Sequence, residues 1–227
     1  MKLVPAYGSP RMQKALSHSY VHTIVGILLL HPELLTIVAE LLQTYERRAQ
    51  AGFEEDLDAL RINLQRPGST GQAIPKYIIE LIQTLYNLYQ QPNEDIVYQR
   101  GAIVEVLVFK LVSYRYNSGE CVSNHRFVDG QGRVITDQVD VAALSRIRKE
   151  LEGYECKLKA NSIESSDSTN LANLANVAQN WDYRANVGFV TFDDVMYMKR
   201  KLARLQPAPG IKFYGLDNIG TLQVSPF

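Results

Sequence analysis

The chain has 227 residues, 46% of them hydrophobic and 21% charged, which is ordinary for a globular protein. Because 24 Lys and Arg residues balance 24 Asp and Glu residues, overall charge does not indicate a nucleic-acid partner, and only local charge could. The two cysteines, Cys121 and Cys156, exclude a cluster held by four cysteines, a Cys/His metal site and a disulfide framework. A reducing, cytoplasmic environment is therefore expected.

The first 96 residues show helical periodicity and carry no catalytic motif. Helices are expected over about 11–30, 33–50, 54–64 and 76–91. The apolar run over residues 20–30 is too short to cross a bilayer, so no membrane partner is expected. Residues 1–96 are thus predicted to be an all-helical segment that contacts substrate or a second copy of the chain.

Two histidines in this segment could form part of a metal site. His18 and His22 are four residues apart and could share one helix face. No glutamate lies between them in the manner of the helical metalloproteases. Packed or surface histidines are the favoured interpretation, so no metal site is predicted here.

The pattern changes at residue 97 and becomes a mixture of helices and strands over residues 97–227. A helix is expected over 97–115, followed by three strands over 121–128, 133–143 and 153–160. The remaining elements are a helix over 169–184, a strand over 187–192, a helix over 194–205 and a strand over 211–216. This order predicts an α/β domain.

The second and third strands carry charged residues on their polar faces. Because successive side chains of a strand point to opposite faces, Glu155 and Lys157 share one face, and Asp140 lies on the polar face of the preceding strand. If the two strands pair, two carboxylates and an ammonium meet. Two adjacent carboxylates are unfavourable unless positive charge lies between them. A hard divalent cation such as Mg²⁺ is the obvious candidate.

This arrangement of Asp140, fourteen intervening residues and Glu155-Cys156-Lys157 resembles the motif of the PD-(D/E)XK nuclease superfamily. Val139 occupies the place of the motif's proline. The predicted element order also resembles that superfamily's αβββαβ core, with the motif residues on its second and third strands. The resemblance covers about residues 97–216. It implies a restriction-endonuclease-like fold, in which a mixed central sheet is flanked by helices, preceded by the helical segment.

The resemblance also implies a site and an activity. Glu105 corresponds to the glutamate that many members carry on the first core helix, and Gln179 and Tyr183 resemble the Q-x-x-x-Y feature of RecB-like members, in the helix after the third strand. Mg²⁺, or Mn²⁺ in its place, would be held by Asp140, Glu155, the main-chain carbonyl of Cys156 and Glu105. Lys157 would serve the attacking water. The implied activity is that of a DNA endonuclease of the restriction, repair or junction-resolving type.

Substrate contacts are expected from local basic groups, which could equally be solvated helix faces and edge-strand lysines. The candidates are Arg146, Arg148, Lys149, Lys159, Lys199, Arg200 and Lys201. A single site cuts one strand, so a duplex-cleaving enzyme with one such site per chain is expected to be a homodimer. No helicase or ATPase motif is present, so no nucleotide cofactor is expected.

Two alternatives stay open at this stage. The chain could be a catalytically inactive protein on a nuclease fold, serving as a nucleic-acid-binding or scaffold module. It could also be an α/β interaction protein in which the D…ExK pattern is accidental. The second alternative predicts that Asp140 and Glu155 lie far apart or on opposite faces of the sheet.

Overall fold

The computed structural model describes residues 1–6, 8–63 and 74–227. The chain divides into two compact units. One is Pro10–Ile103, and the other combines Met1–Ser9 with Val104–Phe227. The division falls inside one long helix, later in the chain than the boundary expected after residue 96.

The first unit is helical. Its helices are α1 (Pro10–Leu16), α2 (Ser19–Leu30), α3 (Leu35–Thr44), α4 (Phe53–Asn63), α5 (Lys76–Tyr89) and the first part of α6 (Asn93–Ser113); residue 64, the last of the helix expected over 54–64, lies outside the described residues. The single helix expected over 11–30 is two helices, because the His18 side chain accepts a hydrogen bond from Tyr20 N (3.2 Å) and starts α2. His18 is therefore a helix cap. Among the described residues, no single helix is both long and apolar enough to cross a membrane; α2 and the stretch Pro32–Thr44 meet that requirement only together, across a bend of 114°.

The expectation that residues 1–96 are all-helical is wrong at their beginning. Strand β1 (Lys2–Pro5) pairs antiparallel with β2 (Cys121–Val128), placing Lys2 opposite Val128 and Pro5 opposite His125. Proline is tolerated there because an edge strand has one side without ladder hydrogen bonds. The partner strand lies more than a hundred residues away in sequence, so no local periodicity could report this pairing.

The second unit contains a six-stranded sheet in the order β1-β2-β3-β4-β5-β6. The further strands are β3 (Val139–Ser145), β4 (Glu150–Cys156), β5 (Arg184–Val190) and β6 (Lys212–Tyr214). Strands β1 to β4 are antiparallel, whereas β4, β5 and β6 are parallel. Parallel neighbours need a crossover, which α7 (Ser165–Asn180) and α8 (Val195–Leu202) supply. The unit is therefore an α/β domain with a mixed sheet, and its main core includes Ala142, Leu144, Leu151, Leu171, Leu174, Val187 and Phe189.

The expected limits of the two central strands are shifted. The four residues 146–149 link the strands in a tight turn, since Ser145 pairs with Glu150 and the strands continue from there. Lys149 takes the left-handed conformation (φ 55°) that helps to close the turn. The start of β4 was not predicted because it carries Glu150 and Glu152, and buried acids are unusual in strands. Here each is paired with an arginine, Glu150 with Arg184 and Glu152 with Arg115.

Candidate metal centre

Adjacent strands bring the two motif carboxyls together. The register of β3 and β4 ends at the pair of Val141 and Tyr154, and Asp140 and Glu155 follow directly beyond it. The same end of the sheet holds the carboxyl ends of the parallel strands β4 and β5, where chains of this class commonly place ligand sites. The site thus lies where the chain leaves the sheet toward α7 and α8.

Asp140 and Glu155 are buried and hydrogen-bonded to each other through their side chains. Asp140 Oδ2 also accepts a hydrogen bond from Cys156 N (2.8 Å). Burial raises the pKa of Asp140, while the positive charge of Lys157 and the Cys156 hydrogen bond oppose that rise. Burial and the adjacent charge of Asp140 raise the pKa of Glu155 well above its usual range. The hydrogen bond between them lowers the pKa of Asp140 and raises that of Glu155.

A third acid, Glu105, lies in α6 near this pair. It is only 3% exposed, and burial together with the charge of Asp140 raises its pKa well above the usual range. The side chain of Asn124 donates a hydrogen bond to Glu105 Oε2 (3.4 Å), which favours the charged form. The glutamate assigned by resemblance thus shares the electrostatic environment of Asp140.

Lys157 follows the last residue of β4 and reaches two carboxylates. Its Nζ lies 3.9 Å from Asp140 Oδ2 and 3.7 Å from Asp167 Oδ1. Burial alone would lower the pKa of Lys157, but the negative charges of Asp140 and Asp167 outweigh burial and raise that pKa. Lys157 is therefore an ammonium at any physiological pH.

Asp167 is a site residue that sequence reasoning missed. It lies in the first turn of α7, where its Oδ2 accepts a hydrogen bond from Glu164 N (2.8 Å) as one half of a capping box. Its other oxygen faces Lys157. An acid at a helix start is ordinarily a cap, so the sequence contained no signal for the second role.

We expect Asp167→Asn to slow any cleavage that depends on Lys157 by about tenfold, or about 1.4 kcal/mol. Asparagine still accepts the Glu164 hydrogen bond but no longer holds the ammonium by charge. Single-turnover rates measured beside thermal unfolding test this. Asp167→Ala, which also loses the cap, serves as the comparison for helix stability. A wild-type rate in Asp167→Asn would mean that Asp167 acts only as a cap.

The side chains at this site are chemically suited to bind a hard divalent cation. Oxygen donors from Asp140 and Glu155 meet in a buried position, and Glu155 Oε1 is buried without a hydrogen-bond partner in this structure. Within the described residues, however, no three or more His, Cys, Asp and Glu side chains already form a metal-binding group. Cys156 lies buried between Glu155 and Lys157, and its carbonyl remains a ligand by resemblance alone.

The predicted auxiliary pair is not at this site. Helix α7 ends at Asn180, so Gln179 and Tyr183 do not share a helix face as expected. Asp182 turns the chain with φ 58°, and Tyr183 N donates to Ala178 O (2.9 Å) at the helix end. Tyr183 then precedes β5, whose first residue pairs with Glu150 at the opposite end of the sheet from Glu155. The interpretation failed because helical periodicity does not reveal a left-handed residue that ends the helix.

Three of the predicted DNA-contacting residues are also distant. Arg146, Arg148 and Lys149 form the β3–β4 turn, at the far end of the two strands that carry Asp140 and Glu155. These three residues therefore do not flank Asp140 and Glu155, because the stretch that carries them is a turn at the far end of the two strands. Lys159 lies two residues after Lys157, and Lys199, Arg200 and Lys201 are exposed in the last turn of α8.

Comparison with known proteins adds no assignment. The chain matches no protein-family model, and it matches no curated protein.

Proposed function

We propose that the second unit is a metal-dependent endonuclease that hydrolyses phosphodiester bonds of DNA. The observation that carries the proposal is the buried, hydrogen-bonded pair of Asp140 and Glu155 with the Lys157 ammonium 3.9 Å from Asp140. The order α6-β2-β3-β4-α7-β5 supports a restriction-endonuclease-like core. An accidental D…ExK pattern predicts separated carboxyls, which is not the arrangement found.

Asp140 and Glu155 would hold Mg²⁺, with Glu105 as a further ligand, each in its carboxylate form. When bound, the cation polarises the phosphate and lowers the pKa of its water. Lys157 would orient the attacking water and stabilise the negative charge that develops on the phosphate oxygens. Its raised pKa favours charge stabilisation over proton abstraction, because a general base must be able to lose its proton near neutral pH.

One observation favours a second candidate, an inactive nuclease-fold protein that binds nucleic acid. The described residues contain no ready-made group of three or more metal ligands. Such a protein would bind nucleic acid equally well with or without a divalent cation. Metal dependence of binding and cleavage therefore separates the two candidates.

The proposal includes DNA as substrate, a homodimer and a cytoplasmic location. Buried, unpaired thiols at Cys121 and Cys156 agree with a reducing compartment. The exposed basic end of α8 and Lys159 are the remaining candidates for backbone contacts. A two-fold dimer would supply one site for each strand of a duplex.

We expect supercoiled plasmid to be nicked or linearised in Mg²⁺ or Mn²⁺, and to stay intact in EDTA. DNA binding should weaken strongly as salt rises, because cations bound to phosphate are released when basic side chains replace them. The test compares plasmid, linear duplex and single-stranded DNA over a metal titration, with light scattering for the oligomeric state. Asp140→Asn is the control for contaminating nuclease. DNA that remains intact at every metal concentration would exclude an active enzyme, and a monomer that cuts only single strands would exclude the duplex substrate.

A further inference from the structure

Asn124 has an unusual backbone for a residue inside a strand. It lies in the middle of β2 with φ 54°, in the left-handed region, and is buried. The register is intact on both sides, with Ser123 opposite Val141 and His125 opposite Val139. A left-handed backbone is unfavourable for a non-glycine residue, although asparagine adopts this conformation more readily than most residues. Such strain persists only where the surroundings maintain it, and it is concentrated at functional sites.

The Asn124 amide is held from both sides. Gln138 Nε2 donates a hydrogen bond to Asn124 Oδ1, and Asn124 Nδ2 donates to Glu105 Oε2 (3.4 Å). Because the Gln138 donor requires the amide oxygen on its own side, it leaves the NH₂ group to face Glu105. The contact therefore fixes which end of the amide reaches the acid.

Gln138 is itself confined by the N-terminal stretch that follows β1. Ala6 N donates to Asn124 O (2.9 Å), which brings this stretch alongside the left-handed residue. A Cβ atom at Gly8 would lie 3.2 Å from Gln138 Oε1, so only glycine fits there without displacement. Gln138 and Asn124 thus form a continuous chain of side-chain hydrogen bonds that ends at Glu105, with Gly8 beside Gln138.

We propose that Asn124, oriented by Gln138, is a positioning residue that aims the Glu105 carboxylate at the divalent cation of the site. This inference rests on the proposed function, since it needs a cation at Asp140 and Glu155. Hydrogen-bond partners of metal ligands fix the orientation of those ligands, and their loss typically reduces metal affinity or activity by about 10- to 100-fold. Asn124 and Gln138 do not touch the reacting atoms in this assignment.

A purely conformational role is the rival explanation, because asparagine suits a left-handed position. Asn124→Gly separates the two roles, since glycine keeps the backbone without strain and removes only the amide. Lys149→Gly is the matched control. Lys149 has the same left-handed backbone (φ 55°), but it lies next to the start of β4, at the opposite end of that strand from Glu155. Gln138→Met removes the donor that orients the amide while leaving Asn124 in place.

The experiment is Mn²⁺ titration by calorimetry on the full chain, with thermal unfolding of each variant and cleavage rates as a second readout. Asn124→Gly should lower Mn²⁺ affinity about tenfold while the variant remains folded at the titration temperature, and Gln138→Met should also lower the affinity. Lys149→Gly should bind Mn²⁺ as the wild type does. Wild-type affinity in both Asn124→Gly and Gln138→Met would overturn the positioning role and leave the proposed function intact. A wild-type protein that binds no Mn²⁺ would overturn the proposed function, and the positioning role with it.

Discussion

Asp140→Asn is expected to abolish both cation binding and cleavage, whereas Lys157→Met is expected to slow cleavage strongly and to leave cation binding at least as tight as in the wild type. Asparagine keeps the shape of Asp140 and can still accept the Cys156 hydrogen bond, but it removes the charge that faces the site. Lys157 cannot ligate a cation while it is an ammonium, and its positive charge opposes a cation beside Asp140. Removal of the Lys157 charge therefore removes an electrostatic repulsion and should not weaken cation binding.

The cleavage rate of Lys157→Met should fall at least 10²- to 10³-fold, about 2.7–4 kcal/mol, which is typical for the loss of one group that stabilises transition-state charge. Calorimetric titration of Mn²⁺ and single-turnover cleavage measure the two quantities separately. Lys110→Met is a suitable control, because Lys110 is exposed near the end of α6 and the substitution is identical. If Lys157→Met cleaves at the wild-type rate, Lys157 has no part in the reaction. If Asp140→Asn binds Mn²⁺ normally, the cation site is elsewhere.

The largest effect on stability is expected from Arg115→Met. Arg115 pairs with Glu152, whose side chain does not lie on the face of the sheet that carries Asp140 and Glu155. Glu152 lies three residues before Glu155 in β4, so its side chain points to the opposite face of the sheet. It is completely buried. Both of its oxygens receive hydrogen bonds from Arg115, and the hydroxyls of Tyr116 and Tyr154 also donate to them. Arg115 Nε also donates a hydrogen bond to Leu222 O (2.8 Å), which connects the C-terminal stretch to the segment that follows α6.

Removal of one partner from a buried ion pair leaves an uncompensated charge and costs about 3–5 kcal/mol. Urea denaturation of Arg115→Met should therefore show a loss of about that size. Removal of the charge on Glu152 as well, in Arg115→Met/Glu152→Gln, should restore part of the loss, and a double-mutant cycle measures the coupling. A loss below about 1 kcal/mol for Arg115→Met would mean that Glu152 is stabilised chiefly by its tyrosine partners.

The Glu152 network and the candidate metal site are separable in this fold. Because the two sets of side chains lie on opposite faces of β4, the Arg115 variant should retain Mn²⁺ binding at temperatures where it is folded. Retained binding with lowered stability would identify the network as structural. Loss of Mn²⁺ binding in a folded Arg115→Met protein would instead mean that the network also positions Glu155.

The sequence alone was sufficient for the α/β class and for the meeting of Asp140, Glu155 and Lys157. The reason is that side-chain alternation is a local property, and consecutive strands commonly pair. Glu105 was assigned by resemblance, as the counterpart of a glutamate that many superfamily members carry on the first core helix.

Only the tertiary structure revealed β1, the true start of β4 and the positions of Asp167 and Asn124. Strand β1 depends on a distant partner, and β4 begins with acids that are acceptable only because arginines from other elements neutralise them. Asp167 and Asn124 reach the site through a helix cap and a left-handed backbone. Gln179 and Tyr183 lie away from the site for a similar reason. A single left-handed residue ends α7 before the helical periodicity can extend to Tyr183. Chain ends, turns and crossovers decide where an element lies in the fold. The contacts that result are set by packing between distant segments, and local periodicity does not encode that packing.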